Sequence, residues 1–243
     1  MNRASAYLLR SYQEEFGSSK IRYHIADTGK RQFSRGAGLQ LGALAAGIND
    51  IIFFMDIDMV VTPNLVAQCR RNAVRGKKAW YPIPYSQYDP DRQCFDGSLA
   101  RSVDERSILN VADPAGDSSL GRNGARETIR QTPLNLEEDR GFWRDFGYGI
   151  ACFYKTDFIA SGGFDLTIEG WGEEDVRLYK SILASGVDVF RAKQSDLVHI
   201  YHTKFCDPTL VGAQAKSCSQ TRASHYASQT CLAKTYFHRH KLN

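Results

Sequence analysis

Eleven consecutive residues, Ile51-Ile52-Phe53-Phe54-Met55-Asp56-Ile57-Asp58-Met59-Val60-Val61, constrain this chain more than any other stretch. The run is short, apolar and bounded by Asn49-Asp50 and Thr62-Pro63-Asn64, so it reads as one strand buried on both faces. Two carboxylates sit near its far end, one residue apart. In an open α/β sheet, ligands bind beyond the carboxyl ends of the strands. A pair of acids there is costly unless something positive arrives, and a divalent cation holding a phosphate is the cheapest candidate. The run therefore predicts a metal–diphosphate site at Asp56 and Asp58. The bland alternative is a loop that carries two acids.

Composition bounds the rest. The 243 residues are 42% hydrophobic and 24% charged, which fits one sizeable α/β core spanning residues 1–243. A net charge of +4 suits a polyanionic partner, nucleic acid or acidic polysaccharide, without selecting one. Arg70-Arg71 and Lys77-Lys78 have no binding module around them and read as solvated faces, so nucleic acid is not expected as a partner. No apolar run approaches the roughly 20 residues of a membrane span. Met1 to Arg10 lacks the apolar core of a signal peptide. The six cysteines include no Cys-x-x-Cys pair, which argues against a zinc ribbon. Cys206 and Cys218 flank a short loop-like segment and can pair in an oxidising compartment.

In chain order, residues 4–16 have helical spacing with Tyr7, Leu8, Tyr12 and Phe16 on one side, and Gly17 fits the C-cap. Residues 20–26 alternate like a strand that includes His24. A nucleotide-binding α/β domain opens with a strand and its binding turn; none precedes the first helix, so the chain is expected to begin in mid-domain. Residues 33–48 predict a small-residue helix with Ser34 as N-cap and Arg35 placed to meet an anion. Gly36, Gly38 and Gly42 lie along this helix rather than in a strand-to-helix turn, which argues against a dinucleotide fingerprint. A helix follows over 63–75 with Pro63 in its first turn, then a strand over 78–85. Residues 86–140 read as a long polar loop, with an insert at about 95–140. Strand 150–154 and a short helix from Thr156 come next. Gly170-Trp171-Gly172 predicts a turn presenting a large aromatic, with Glu173, Glu174 and Asp175 opening a helix. These acids read either as helix capping or as a general base beside an aromatic sugar platform. Strands over 187–191 and 197–202 end the pattern, the second carrying His199 and His202 three apart. Imidazoles in a domain that also carries these carboxylates form a plausible ligand set.

Taken in order, Phe33-Ser34-Arg35, Asp56-Ile57-Asp58, Gly170-Trp171-Gly172-Glu173-Glu174-Asp175 and His199-Ile200-Tyr201-His202 resemble the β1,4-galactosyltransferase superfamily. The chain is still more similar to the C-terminal domains of animal chondroitin sulfate synthases. Ser86-Gln87-Tyr88-Asp89-Pro90, Gly141-Phe142-Trp143-Arg144, Phe190-Arg191-Ala192, Phe205-Cys206-Asp207-Pro208 and Ser228-Gln229-Thr230-Cys231-Leu232-Ala233 carry that likeness, which runs from about Tyr7 to Lys234 apart from the polar insert.

The resemblance implies a GT-A fold with a mixed, mostly parallel sheet flanked by helices and missing its N-terminal strands. It implies an inverting, Mn²⁺-dependent enzyme with a UDP-sugar donor, UDP-GalNAc, and the 4-hydroxyl of a terminal glucuronic acid of chondroitin as acceptor. Asp58 and His202 match metal ligands, and His199 falls at a second ligand position. Asp56 matches the acid that contacts the nucleotide-sugar, and Phe33 and Arg35 the nucleotide-contacting helix start. Trp171 matches the tryptophan that covers donor and acceptor, Asp175 the catalytic base and Glu174 its acidic neighbour. By the same likeness this chain is a fragment of a longer type II membrane protein of the Golgi lumen, in company with a second synthase or polymerising subunit. Alternatives are a non-catalytic polymerising partner of the same fold and a related β1,4-galactosyltransferase.

Overall fold

The computed structural model describes residues 3–17, 33–92 and 136–233. The strand expected over 20–26 and most of the expected insert lie outside them. The first helix, α1 (Arg3–Phe16), matches its spacing, and Gly17 follows it at φ +84°, a left-handed conformation that glycine adopts without steric cost. The rings of Tyr12 and Phe16 stack at 6.2 Å. Helix α2 (Arg35–Ala45) starts where Ser34 caps it, the hydroxyl accepting from the Ala37 N–H.

The eleven-residue apolar run is not one strand. It divides into β1 (Ile51–Phe54) and β2 (Met59–Val61), which lie in different sheets. Residues 55–58 form the turn between them, with Ile57 fully exposed at its tip. Periodicity could not reveal the break, because both halves are apolar; what separates them is a change of partner. β1 pairs antiparallel with β6 (Ala151–Tyr154), and β2 pairs antiparallel with β8 (Lys193–His199). β1 also alternates, its Ile52 and Phe54 fully buried and Ile51 and Phe53 half-buried.

The expected strand 78–85 breaks in the same way at Tyr81-Pro82. It becomes β3 (Lys78–Trp80) in the first sheet and β4 (Ile83–Gln87) in the second, where β5 (Gly141–Trp143) pairs with it. β7 (Asp188–Phe190) lies beside β3, and the chain crosses at Arg191-Ala192 into β8. The strand orders are β1-β6-β3-β7 and β2-β8-β4-β5. Only β3–β7 and β4–β8 are parallel pairings among the described strands; the other four are antiparallel. The expectation of a mostly parallel sheet is therefore corrected to two mixed sheets. Three segments cross from the first sheet to the second, at 55–58, 81–82 and 191–192.

The first sheet is covered on both faces. Ile52, Phe54, Ala79, Ala151 and Phe153 pack with Ala43 of α2, Phe158 of α4 (Lys155–Ala160), and Leu178 and Ile182 of α5 (Glu174–Ala184). On the other face Trp80 and Cys152 pack with Leu65 and Cys69 of α3 (Asn64–Asn72) and with Leu197. The alternation of neighbours such as Cys152 and Phe153 follows the period of two along a strand. Pro63 stands at the N-cap of α3, one residue before the expected first turn. Lys155, buried, donates its ammonium to the carbonyls of Leu44 and Ala46 and so terminates α2. Helix α6 (Gly212–Ser224) is tied to the preceding loop by a Cys206–Cys218 disulfide, the pairing considered from sequence. A second disulfide, Cys69–Cys152, joins α3 to β6. No described helix is long and apolar enough to cross a membrane.

Candidate active site

A cleft of about 1270 Å³ opens along the junction where the chain changes sheets. Its walls include Met55–Asp58, Pro82 and Pro84, the segment 144–150, the turn 171–176, His199, His202 and one side of α6. All nine residues singled out from sequence line it: Phe33, Arg35, Asp56, Asp58, Trp171, Glu174, Asp175, His199 and His202.

Strand register builds the first cluster. The antiparallel pairing sets Met59 opposite His199, and the Asp58 carbonyl accepts the Ile200 N–H at 3.0 Å. That places the Asp58 carboxylate beside the end of β8. Its Oδ2 lies 3.0 Å from His202 Nε2 and 3.6 Å from His199 Nε2. One donor atom from each of the three residues falls within 4.8 Å of the others. β8 ends at His199, so His202 belongs to the following loop rather than to the expected strand. The Asp58 carboxyl is held down at about 2, chiefly by His199, against burial and with help from the charge of His202. Asp58 Oδ1 is buried and has no hydrogen-bond partner among the described residues. A carboxylate with one oxygen beside two imidazoles and the other unpartnered suits a divalent cation.

Asp56, which the family resemblance assigns to the nucleotide-sugar rather than to the metal, does not join that cluster. It is taken by Arg35, whose Nη2 and Nε donate to Asp56 Oδ1 at 2.7 and 3.0 Å. The same guanidinium donates to the Gly149 carbonyl at 2.9 Å and reaches Glu174 Oε1 at 3.3 Å. Burial alone would lower Arg35, but Asp56 and Glu174 outweigh it and hold it above its ordinary value.

The second cluster stands at the start of α5. Gly170 and Gly172 have φ of +79° and +93°, and Glu173, with φ +76°, is the only described non-glycine residue in the left-handed region. This turn is fastened at both ends. The Gly170 N–H donates to the Phe33 carbonyl at 3.1 Å, and Gln214 Nε2 of α6 faces the carbonyls of Glu169, Trp171 and Gly172. Trp171 is half-buried, with the Lys204 ammonium 4.2 Å from its ring centroid. Asp175 accepts the Tyr148 N–H at Oδ2 and the Val176 N–H at Oδ1, both at 2.9 Å, which fixes the carboxylate. Glu174 is pushed above the usual carboxylate range by burial first and by Asp175 second, with Arg35 pulling the other way.

Two cations in the cleft carry no signal of period or spacing. Arg144 is lowered by burial, which the charges of Asp56, Asp58 and Asp175 only partly offset. Lys204 is lowered to about 8, by burial and then by Arg144. Arg144 stands in the quoted Gly-Phe-Trp-Arg phrase and Lys204 two residues after His202, but only the folded chain brings them to one wall.

An acid–imidazole trio, a fixed carboxylate pair at a helix start and an aromatic turn, gathered in one cleft of an α/β protein, are in keeping with a member of a glycosyltransferase family. The chain belongs to the chondroitin N-acetylgalactosaminyltransferase family, whose model matches residues 1–232. It is 33% identical over 233 residues to chondroitin sulfate synthase 3 of Mus musculus, covering 96% of this chain and 23% of that protein. It is 38% identical over 212 residues to chondroitin sulfate N-acetylgalactosaminyltransferase 1 of Homo sapiens, covering 87% and 35%. A fainter likeness, 24% over 190 residues, links it to chondroitin sulfate synthase 2 of Mus musculus, covering 76% and 20%. The chain thus spans between 23% and 35% of the length of the first two relatives.

Proposed function

We propose that this chain is an inverting, GT-A-type transferase domain that moves N-acetylgalactosamine from UDP-GalNAc to the 4-hydroxyl of a terminal glucuronic acid of chondroitin. The observation that carries the reading is the meeting of Asp58, His199 and His202 with Glu174 and Asp175 in one cleft of a chain from this family. Asp58, His199 and His202 would hold Mn²⁺, which suits the unpartnered Asp58 oxygen and the mixed oxygen–nitrogen donor set. When bound, the cation supplies charge stabilisation to the diphosphate leaving group.

The chain's own residues do the rest. Asp175 takes the proton of the attacking hydroxyl, its two oxygens already oriented by backbone N–H groups. Arg35 fixes Asp56 and Glu174 at the nucleotide end of the cleft. Trp171 offers its ring to the sugars. Arg144 and Lys204 add positive charge where both substrates are anionic. Disulfides such as Cys69–Cys152 and Cys206–Cys218 suit an oxidising compartment, and by the family likeness we place the domain in the Golgi lumen, within a longer, membrane-anchored protein with a partner synthase subunit.

The test is UDP release from a panel of UDP-sugars with Mn²⁺ and glucuronate-ended chondroitin oligosaccharides. Turnover confined to UDP-GalNAc and lost on chelation is expected. Asp175→Asn is expected to lose roughly 10²–10⁴ in rate with its melting temperature intact. Near-normal turnover by that variant removes the base assignment. Mn²⁺ binding that needs Asp58, without turnover on any donor, would favour a non-catalytic polymerising partner.

A further inference from the structure

Two imidazole nitrogens beside the acid–imidazole trio are buried without a hydrogen-bond partner among the described residues: Nδ1 of His199 and Nε2 of His225. Their rings lie 5.4 Å apart by centroid, and both line a small cavity of about 20 Å³. A space of that size holds one water molecule.

The proton positions follow from the other nitrogen of each ring. His199 Nε2 faces Asp58 and is the nitrogen offered to a cation, so in the neutral ring Nδ1 carries the hydrogen and donates. His225 Nδ1 lies 2.7 Å from the Thr221 carbonyl, which can only accept. That nitrogen therefore carries the hydrogen, and Nε2 is left as an acceptor. The two unpartnered nitrogens are therefore one donor and one acceptor. The His225 ring is held in place by Thr221, by the Phe142 ring at 5.1 Å, and by its own carbonyl, which accepts the Asp89 N–H at 2.9 Å.

We infer that His225 is a positioning residue for His199: its Nε2 accepts the His199 Nδ1–H through one water in the cavity, and so fixes the tautomer and ring orientation that present Nε2 beside Asp58. The inference rests on reading Asp58, His199 and His202 as a metal site. Outer partners of this kind set ligand geometry, and their loss typically costs about 10–100-fold in metal affinity.

The experiment is calorimetric titration of the 243-residue chain with Mn²⁺, comparing wild type, His225→Phe, His225→Gln and Asp58→Asn. His225→Phe, which keeps an aromatic ring but removes both nitrogens, the Nε2 acceptor and the Nδ1 donor to Thr221, is expected to weaken Mn²⁺ by about 10–100-fold. His225→Gln, which restores an acceptor oxygen, is expected to recover part of the loss. A His225→Phe protein that binds Mn²⁺ like wild type overturns the inference while leaving the Asp58-dependent site standing. A wild type that shows no Asp58-dependent binding overturns both readings. Imidazole ¹⁵N spectra of the wild type give a check independent of folding in any variant. His225 found with its hydrogen on Nε2 would overturn the inference.

Discussion

Arg35 answers three groups at once, and that makes it the most consequential single side chain in the cleft. It stands at the first position of α2, donates to Asp56 and the Gly149 carbonyl, and reaches Glu174. Removing one partner of a buried ionic set strands the other charges. Arg35→Ala is expected to lower stability by about 3 kcal/mol, read by denaturant titration. Arg35→Lys keeps the charge but not the fork, and is expected to recover only part of that loss. Glu173 is the opposite case, a residue that costs stability where it stands. Its φ of +76° falls where glycine is at ease and glutamate is not. Glu173→Gly is expected to raise stability by about 1 kcal/mol, measured by thermal melting. An unchanged or lowered melting temperature would mean that the Glu173 side chain contributes more than its backbone costs.

At the scale of elements, the loop between β8 and α6 carries His202 and Lys204, and the Cys206–Cys218 disulfide closes it. Cross-linking so short a loop is worth about 3 kcal/mol in the chain-entropy account. Replacing both cysteines by serine is expected to lower the melting temperature, and to weaken Mn²⁺ binding by loosening His202. A second tie joins the start of α3 to β8. Asp196 accepts from the Thr62 hydroxyl and the Asn64 amide, both at 2.7 Å, and from Gln194 at 3.0 Å. The Thr62 hydroxyl, with Asn64 and Gln194, holds the Asp196 carboxyl below its ordinary value. A depressed folded value means that this stability is present above the ordinary carboxylate range and is lost as the pH falls through the folded value. Asp196→Ala is therefore expected to cost about 1 kcal/mol at pH 7, and the gap from wild type is expected to close in acid, as followed by melts across pH.

For the whole molecule, the two sheets and their shared crossings hold the cleft walls together. The Cys69–Cys152 link spans 83 residues of sequence and fastens the α3 layer to β6. A loop of that length gives the larger entropic benefit, about 4.5 kcal/mol in the same account. Its double serine variant is expected to melt well below wild type, and by more than the Cys206/Cys218 variant. Loss of the larger link without a larger effect would count against the entropic account here. A cation bound only by the folded state also stabilises it in proportion to its occupancy. Mn²⁺ is expected to raise the melting temperature of wild type and not that of Asp58→Asn.

The local elements were legible wherever a single segment decides its own structure. Ser34 capping α2, Gly17 ending α1 and the acids opening α5 all follow from backbone groups within a turn of the residue concerned. The nine candidate residues were found by their order along the chain, and all nine line the cleft. Spacing did not reveal which carboxylate meets which partner. Asp56 and Asp58 look alike in sequence, yet the turn at 55–58 gives one to Arg35 and the other to the two histidines. Nor did it reveal the breaks within the apolar runs 51–61 and 78–85, since hydrophobicity continues across a change of sheet. Arg144, Lys204 and His225 come from three distant segments and share no pattern. Sequence determined what is set by neighbours along the chain, namely caps, turns and faces. Tertiary structure decided what depends on pairing across it: strand register, the ownership of each charge, and which cations and imidazoles share one cleft.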